Sequence, residues 1–523
     1  MSLDRPRAEA DVAQQIAAAL AQGARRGICQ VRIPPADLAT AVRLLQRQEW
    51  AFLGLAVEEW QRQRPWRLLY LWYGPNTPWL ELEVLAHDDQ VPSISSLVYA
   101  ADWHEREAED LFEIRFAGHP ALGDFVLHDE EWPEGVAPMR KGFSGVGHKI
   151  IGRVRRPYRP PVIVDAPGGF VMPIGPVFSG VQESIRFLLE TVGEEIIYAH
   201  VRSFYKYRGV EKCLEEKRPM DGVLLAERVD GTAAFAHAFA FCQAVEAIAE
   251  ADVPPRAQAL RVLFAEFERI RSHIKTLAGI VESTGLSVPA NLLAALEEEL
   301  LQTGAVATGH RYLFGLNVPG GVTRDPGDEV AALVRSVEGV VDRVTDMYDR
   351  LAFDNSFLDR LEAVSHLGAE RAKSAGAVGP IARAAGIAHD LRRWHPYALY
   401  SRLTVAVPTE SEGDGYARFR VFFQEILAAR DVLREVLRQL PPGEVLVPVN
   451  VGAGEALGAV EAPSGALGYW VRMGASGRVA RCHIITPGFV NWHSFPEAVR
   501  YIAFQDFPII LATFGLSVAD ADR

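Results

Sequence analysis

The spacing of apolar residues divides the chain into a mixed first part and a mainly helical remainder. Near the start, apolar residues recur every three to four positions at 7–22 and 37–48, which predicts two amphipathic helices. The same periodicity returns in longer segments of the second half. These predicted helices lie at 256–281, 290–305, 328–362 and 416–439. The second half is therefore predicted to contain a helical bundle.

Strand-like segments lie on both sides of the helical region. Apolar runs at 66–73 and 79–85, separated by a Gly-Pro-Asn-Thr-Pro turn, predict a β-hairpin. Glu81 and Glu83 alternate with apolar residues, so one face of this hairpin is expected to be wet. Further short strands are predicted at 162–164, 184–190, 195–203, 468–473 and 481–485, and Pro487-Gly488 is predicted to form a turn.

These elements predict an α+β protein with two domains. A small α+β domain is expected over residues 1–145, and a mostly helical domain with short β-elements at its ends is expected over 162–523. Between them, 146–161 combines four arginines with several prolines and is predicted to be an extended linker.

Composition narrows the possible functions. The chain has 523 residues, of which 49% are hydrophobic and 23% charged, so a packed core is expected. A net charge of −13 argues against nucleic-acid binding. No secretory signal and no apolar run long enough to span a membrane are recognised. We therefore expect a cytoplasmic protein, and any attachment to a membrane would have to come through partners.

The cysteines exclude the common thiolate sites. Only Cys29, Cys213, Cys242 and Cys482 are present, and no two of them form a Cys-x-x-Cys motif. The chain alone is therefore not expected to hold an iron–sulfur cluster or a thiolate zinc site. Few and scattered cysteines also suit a reducing compartment.

A charged run in the first domain carries a specific resemblance. HEREAEDLF at 104–112 is followed by FAGHP at 116–120 and MRKGF at 139–143. The order and spacing of these segments resemble the 30-kDa subunit of complex I, which also occurs fused to large subunits of membrane-bound hydrogenases. The resemblance implies that this segment is an assembly surface.

The second domain resembles the large subunit of nickel–iron hydrogenases and the related 49-kDa subunit of complex I. The motifs that carry this resemblance occur in family order. They are IGP at 174–176, YRGVEK at 207–212, FAH at 235–237, AVE at 244–246, ERIRSH at 268–273, VPGG at 318–321, GPIARA at 379–384 and EAPSG at 461–465. The resemblance places the chain with fused 30-kDa/49-kDa subunits and group 4 hydrogenases of the formate hydrogenlyase type.

The residues required for hydrogen activation are replaced. A nickel–iron centre needs four thiolates. The resemblance implies that the four ligand positions here are Asp230, Ala233, Ser517 and Asp520, and no metal is expected at them. The family's arginine above the metals is replaced by Ser464. An active hydrogenase is therefore not expected.

The proton donors to quinone that the 49-kDa resemblance implies are also replaced. Phe178 and Gly231 occupy these positions. One hypothesis is a remodelled quinone cavity, with Phe178 stacking on the ring, Gly231, Thr232 and Arg383 around it, and Asp230 and His237 as candidate catalytic groups. Arg383 is alternatively predicted to join Asp390 and Arg392 in a buried charge network.

Glu211 and His237 leave further alternatives open. The glutamate matching Glu211 passes protons in hydrogenases, so Glu211 is a candidate relay with a raised pKa. The alternative is an ion pair with Arg208 or Lys212 that fixes a loop. His237 lies on an apolar helix and is either a core histidine or a cavity residue.

The resemblance implies a core subunit of a membrane-associated oxidoreductase that accepts electrons from an iron–sulfur partner and lies at the inner face of the cell membrane through partner subunits. Expected partners are an iron–sulfur small subunit, a ferredoxin-like subunit, and antiporter-like and quinone-channel-type membrane subunits. Quinone is the possible cofactor of this chain, and iron–sulfur clusters are expected in partners. The family name implies NADH oxidation by the assembly, but this chain has no Gly-x-Gly-x-x-Gly strand–helix unit for NAD. The alternative function is a non-catalytic structural and coupling scaffold.

Overall fold

A computed structural model describes residues 5–23, 27–59, 66–86, 88–130, 132–133, 135–143, 164–165, 167–178 and 183–523. The predicted linker at 146–161 lies outside these residues. The strand predicted at 162–164 is described only at Val164, whose backbone N–H donates to Glu190 at 2.6 Å. Within the described ranges, no helix has both the length and the apolar character of a membrane span.

The described elements form an α+β fold, as predicted. The helices are α1 (Arg5–Gln22), α2 (Leu38–Arg47), α3 (Asp102–Phe112), α4 (Val210–Leu214), α5 (Pro219–Ala226), α6 (Ala234–Ala249), α7 (Pro255–Ser283), α8 (Ser287–Thr308), α9 (Glu329–Leu351), α10 (Asn355–Leu358), α11 (Ala369–Ser374), α12 (Gly379–Ala384), α13 (Leu391–Trp394), α14 (Gly415–Gln439), α15 (Pro487–Ala498), α16 (Phe507–Phe514) and α17 (Val518–Ala521). The strands are β1 (Ile28–Arg32), β2 (Ala51–Glu59), β3 (Trp66–Tyr73), β4 (Trp79–Ala86), β5 (Gln90–Pro92), β6 (Arg115–Ala117), β7 (Gly169–Ile174), β8 (Arg186–Val192), β9 (Glu195–Arg202), β10 (Asn317–Val318), β11 (Gly321–Val322), β12 (Gly454–Ala462), β13 (Gly465–Met473) and β14 (Val479–Ile485).

Three sheets organise the molecule. The first has the order β1-β4-β3-β2, with β1 parallel to β4 and the other pairs antiparallel. The strands β7, β8 and β9 form an antiparallel sheet, as do β12, β13 and β14. Helices α7, α8, α9 and α14 pack together as the predicted bundle.

The first sheet is buried on both faces, so the predicted wet face of its hairpin is wrong. Glu81 and Glu83 are 0% and 4% exposed. Arg67 donates to Glu83 at 2.7 Å and to Glu455 on β12 at 2.6 Å, so this face meets the β12–β14 sheet. Arg67, on β3 of the same sheet, supplies the positive charge that allows Glu81 and Glu83 to be buried, and Glu455 of the second sheet binds the same guanidinium. The contact between the two sheets joins the two halves of the chain.

A shared apolar core continues across the two halves. Trp103 on α3 packs against Phe489 on α15 with a ring-centroid distance of 5.6 Å. The same cluster of buried residues includes Phe187 on β8 and Phe514 on α16. The predicted boundary near residue 145 remains a prediction, because packing is continuous on both sides of it.

Two predicted elements end differently from the sequence pattern. The helix predicted at 328–362 divides into α9 and α10, because the Asp354 side chain accepts from the Phe357 N–H and starts a new turn. Pro487-Gly488 does not form a turn but begins α15, where proline fits the first helical position. Thr486 caps this helix by accepting from the Phe489 N–H at 3.2 Å.

Candidate functional site

Three of the four former ligand positions meet at one small cavity. Asp230, Ser517 and Asp520 line it, together with Thr232 and Ser464. The cavity volume is about 10 Å³. That is roughly the space of one water molecule.

Helix termini place these residues. Asp230 and Ala233 directly precede α6, and Glu268 on α7 accepts from the first α6 amides, Phe235 N at 2.7 Å and Ala236 N at 2.9 Å. These bonds pair backbone N–H groups that have no acceptor within α6, and they fix the position of the helix start. Ser517 precedes α17, and its Oγ accepts from Asp520 N at 3.3 Å. Two helix starts from distant parts of the sequence therefore form the cavity.

Close packing of α6 brings it to this position. A Cβ atom on Gly458 of β12 would lie 2.0 Å from the carbonyl oxygen of Ala240 on α6. Glycine is therefore needed where the helix backbone crosses the strand.

Both acidic residues already have partners inside the protein. The Asp230 carboxylate accepts from Thr232 N at 3.1 Å and from the Thr232 hydroxyl. Asp520 accepts from Gly488 N at 2.6 Å through Oδ2, and its Oδ1 lies 3.1 Å from His237 Nε2. A metal at this position would have to displace these bonds.

His237 links Asp520 to a buried tyrosine. Its Nδ1 lies 2.8 Å from the Tyr469 hydroxyl on β13, and the histidine is fully buried. Since the carboxylate of Asp520 accepts from Nε2–H, Nδ1 accepts the Tyr469 proton. Burial raises the pKa of Tyr469 well above its ordinary value, so the hydroxyl keeps its proton. The result is a closed chain of hydrogen bonds, Tyr469–His237–Asp520.

The residues at these positions do not fit a nickel–iron centre. Such a centre requires soft thiolate ligands. Ala233 offers no donor, and the oxygens of Asp230 and Asp520 are already hydrogen-bonded. The free cysteines lie at other positions, with Cys213 exposed and Cys29, Cys242 and Cys482 buried.

The residues proposed around a quinone are not all brought to the cavity. Thr232 lines it. Phe178 is outside the lining and packs on its own loop, where its ring would meet a Cβ on Gly175 at 2.8 Å. Gly231 is exposed and also outside the lining. Glu183 contacts the lining of the cavity, where its carboxylate accepts from Val518 N and Ser517 Oγ.

Arg383 belongs to the buried charge network that the sequence predicted with Asp390 and Arg392. Its guanidinium lies 2.6 Å from Glu425, 2.8 Å from Glu461 and 3.5 Å from Asp390. The network continues through the further charged residues Arg392, Glu266, Arg269 and His273. The guanidinium is therefore fixed by carboxylates and is not among the residues that line the small cavity.

Glu211 is ion-paired, but not with the predicted partners. Its carboxylate lies 3.3 Å from Arg481 and Arg523 and 3.1 Å from His483. Arg208 instead donates to backbone carbonyls, and Lys212 pairs with Glu215 at 3.0 Å. Burial alone would raise the pKa of Glu211, but His483, Arg523 and Arg481 lower it well below its ordinary value. The expected raised pKa is therefore wrong, and the relay role remains a prediction.

A group of buried side chains lies next to Glu211. Among the described residues, His104, Glu107 and His483 place one potential metal-ligand atom each within 4.8 Å of one another. Arg523 Nη2 donates to both oxygens of the Glu107 carboxylate, to Oε1 at 2.8 Å and to Oε2 at 2.9 Å. A guanidinium therefore already supplies the positive charge here.

Replacing Glu268 by glutamine should make stability less dependent on pH. Burial raises the pKa of Glu268 from 4.5 to about 7, so the folded protein holds an extra proton between these values. The free energy of unfolding should fall as pH rises through this interval, by up to about 3 kcal/mol. Urea unfolding of both proteins, at pH values spanning the interval, measures the difference.

Glu282→Gln provides the matched control for this measurement. Glu282 lies on the same helix and is exposed, so its replacement should leave the pH profile unchanged. If the free energy of unfolding depends on pH equally in Glu268→Gln and wild type, the raised pKa of Glu268 is contradicted.

Comparison with protein families matches residues 31–149 to "Respiratory-chain NADH dehydrogenase, 30 Kd subunit". Residues 284–450 and 445–523 match "Respiratory-chain NADH dehydrogenase, 49 Kd subunit". The chain joins a complex I 30-kDa domain to a 49-kDa domain. Residues 208–276, which hold Glu211 and His237, match "Nickel-dependent hydrogenase". The hydrogenase-like segment therefore contains Asp230 and Ala233, whereas Ser517 and Asp520 lie in the 49-kDa match.

Individual relatives have the same mixed character. Formate hydrogenlyase subunit 5 of Escherichia coli K12 is 29% identical over 459 residues, covering 85% of this chain and 79% of the relative. The C/D subunit of the NADH-quinone oxidoreductase of Acinetobacter baumannii strain AYE is 28% identical over 483 residues, which cover 84% of this chain and 81% of the relative. Carbon monoxide-induced hydrogenase of Rhodospirillum rubrum is 28% identical over 361 residues, which cover 68% of this chain and 99% of the relative.

Several residues of the site are missed by sequence reasoning. Tyr469 lies in a predicted strand whose apolar pattern gives no sign of a hydrogen-bonding role. Arg481, His483 and Arg523 are isolated polar residues far from Glu211 in sequence. Glu268 is recognised only as part of a family motif. No sequence spacing could have paired these residues, because the contacts form between distant elements.

Proposed function

We propose that this chain is a structural and coupling core subunit of a membrane-bound oxidoreductase related to complex I and hydrogenases, without redox chemistry of its own. The observation that carries the proposal is the closure of the former metal position. Asp230 and Asp520 bond to internal donors around a cavity of about 10 Å³.

Closure of this position also has an energetic argument. Opening it to a ligand would break the bonds of Asp520 to His237 and Gly488, and leaving buried polar groups unpaired costs about 1–3 kcal/mol each. The surrounding elements are held by a further network centred on Arg383. A closed and rigid centre suits a subunit that holds its neighbours in a fixed arrangement.

The proposal includes the partners that the resemblance implies. The chain would connect an iron–sulfur small subunit and a ferredoxin-like subunit to antiporter-like and quinone-channel-type membrane subunits. It would lie at the inner face of the membrane through these contacts. Iron–sulfur clusters, and any oxidation of NADH, would belong to partner subunits.

A remodelled quinone site is the second candidate function. The Tyr469–His237–Asp520 chain favours it, because these side chains can hold and pass a proton beside Thr232. A quinone ring needs far more space than the closed cavity offers, so the residues around the cavity would have to move apart. The contact of Glu183 with Ser517 would then break.

Gly231→Phe in the intact membrane complex separates the two functions. Gly231 is exposed beside Asp230 and Thr232, and no atom lies within 4 Å of a Cβ placed there. The added ring should therefore be tolerated by the fold but should block entry to the cavity. The measurement is the reoxidation of dithionite-reduced clusters by added quinone, with the amounts of all subunits determined on the same sample.

The scaffold proposal expects unchanged assembly and an unchanged reoxidation rate. Gly339→Phe on α9 is the matched control, since Gly339 is also exposed with open space around its Cβ position. A Gly231→Phe complex that assembles fully but loses at least tenfold in rate, while Gly339→Phe does not, would overturn the scaffold proposal in favour of quinone. Nickel in one-to-one ratio with the chain would contradict both functions.

A further inference from the structure

A second cavity lies where the first sheet meets the region of α11 and α12. Its volume is about 360 Å³. Strands β2 and β3 and the segment at 97–100 form one side, and residues 370–377 with Ile387 and His389 form the other. Ligand pockets in proteins commonly have volumes of about 300–1,000 Å³ and lie between domains.

Aromatic side chains dominate one side of this seam cavity. Trp50, Phe52, Trp72, Tyr73 and Tyr99 all line it. Phe52 and Trp72 pack with a ring-centroid distance of 5.2 Å. Their π-faces and edges favour a flat aromatic ligand that can stack or meet them edge to face.

The opposite side adds polar groups that remain available. Neither ring nitrogen of His389 has a hydrogen-bond partner within the described ranges. Burial, with Lys373 and Arg383 nearby, lowers the pKa of His389 to about 4, so the imidazole is neutral at pH 7. A neutral imidazole offers one donor and one acceptor. Lys373 and Ser374 are exposed at this side of the cavity.

We propose that the seam cavity binds a planar aromatic ring bearing carbonyl oxygens, with the ring against Trp50 and Phe52 and a carbonyl accepting from His389. Quinones and isoalloxazine rings share this chemistry. The site is distinct from the former metal position, whose lining residues are all different. The inference does not depend on whether that position is closed or opens to quinone.

Binding by the purified full chain tests this inference. Tetramethyl-1,4-benzoquinone is the quinone probe, because its fully substituted ring has no open position for addition of the exposed Cys213 thiol. Riboflavin is the isoalloxazine probe. Equilibrium dialysis of each probe with the full chain should give saturable binding of one probe per chain for at least one of the two, and the probe that binds identifies the source.

Two variants locate the binding. Ser374→Trp places a large ring at the exposed mouth of the cavity and should reduce affinity at least tenfold. Ala369→Trp is the matched control, because Ala369 is an exposed residue of the same helix outside the lining, and it should bind as wild type does.

The outcomes decide the inference in either direction. Saturable binding that is lost in Ser374→Trp and retained in Ala369→Trp supports the seam site. Absence of saturable binding of both probes to the wild-type chain overturns it. Equal affinity of Ser374→Trp and wild type also overturns it, since the probe would then bind elsewhere.

Discussion

Replacement of Arg383 by methionine should lower the free energy of unfolding by about 3–5 kcal/mol. Arg383 is 0% exposed and lies 2.6 Å from Glu425 and 2.8 Å from Glu461. Without the guanidinium these carboxylates are left buried without their main counter-charge, and the bond to the His389 carbonyl at 3.0 Å is also lost. Urea unfolding at neutral pH measures the change.

An exposed arginine provides the comparison for Arg383→Met. Arg434 pairs with Glu338 and Asp431 at the surface, where ion pairs contribute about 0–1 kcal/mol. Arg434→Met should therefore have little effect. Adding Glu425→Gln and Glu461→Gln to Arg383→Met should restore part of the lost stability, because amides carry no charge to be compensated. A loss of under about 1 kcal/mol in Arg383→Met would show that the network is not held by this residue.

Replacement of Arg523 by methionine should also destabilise the chain by about 3–5 kcal/mol, and its effect should concentrate where the two halves meet. Arg523 lies 2.8 Å from Glu107 on α3 and 3.3 Å from Glu211 on α4. Its loss leaves two buried carboxylates facing each other. Hydrogen exchange should therefore show faster opening of α3, beyond the change expected from global stability.

The Arg523 prediction has its own matched variants. Arg478→Met removes an exposed arginine that donates to the Glu216 carbonyl at 2.8 Å, and it should leave α3 protected. Arg523→Met combined with Glu107→Gln should recover part of the lost stability, since it removes the Glu107 charge that has lost its guanidinium partner, whereas Glu211 keeps Arg481 and His483. Unchanged exchange of α3 in Arg523→Met would mean that apolar packing, such as Trp103 against Phe489, holds this junction by itself.

The sequence alone determined the long helices, and it predicts that the cysteine ligands of a nickel–iron centre are replaced. Helices α1, α2 and α14 follow apolar periodicity closely, because each buries mainly one face and local spacing determines that face. The bounds of α7 are also close to the prediction, although its residues 259–274 are buried on all sides. The absence of cysteines at the ligand positions is likewise a fact of composition. Motif order predicts that Asp230, Ser517 and Asp520 converge, and in the structure these three residues line one cavity.

Only the tertiary structure decided what surrounds these residues. Glu81 and Glu83 alternate with apolar residues as exposed residues do, but a second sheet covers them. Arg67 pairs with both glutamates and with Glu455 of that second sheet. The partners of Glu211 lie 270–312 residues away in sequence.

The same limit applies to the former metal position. That Asp520 bonds to His237 and Gly488 depends on where α6, α15 and α17 meet. Local patterns determine which elements form, whereas the charge and hydrogen-bond partners of a buried side chain come from elements that only the complete packing brings together.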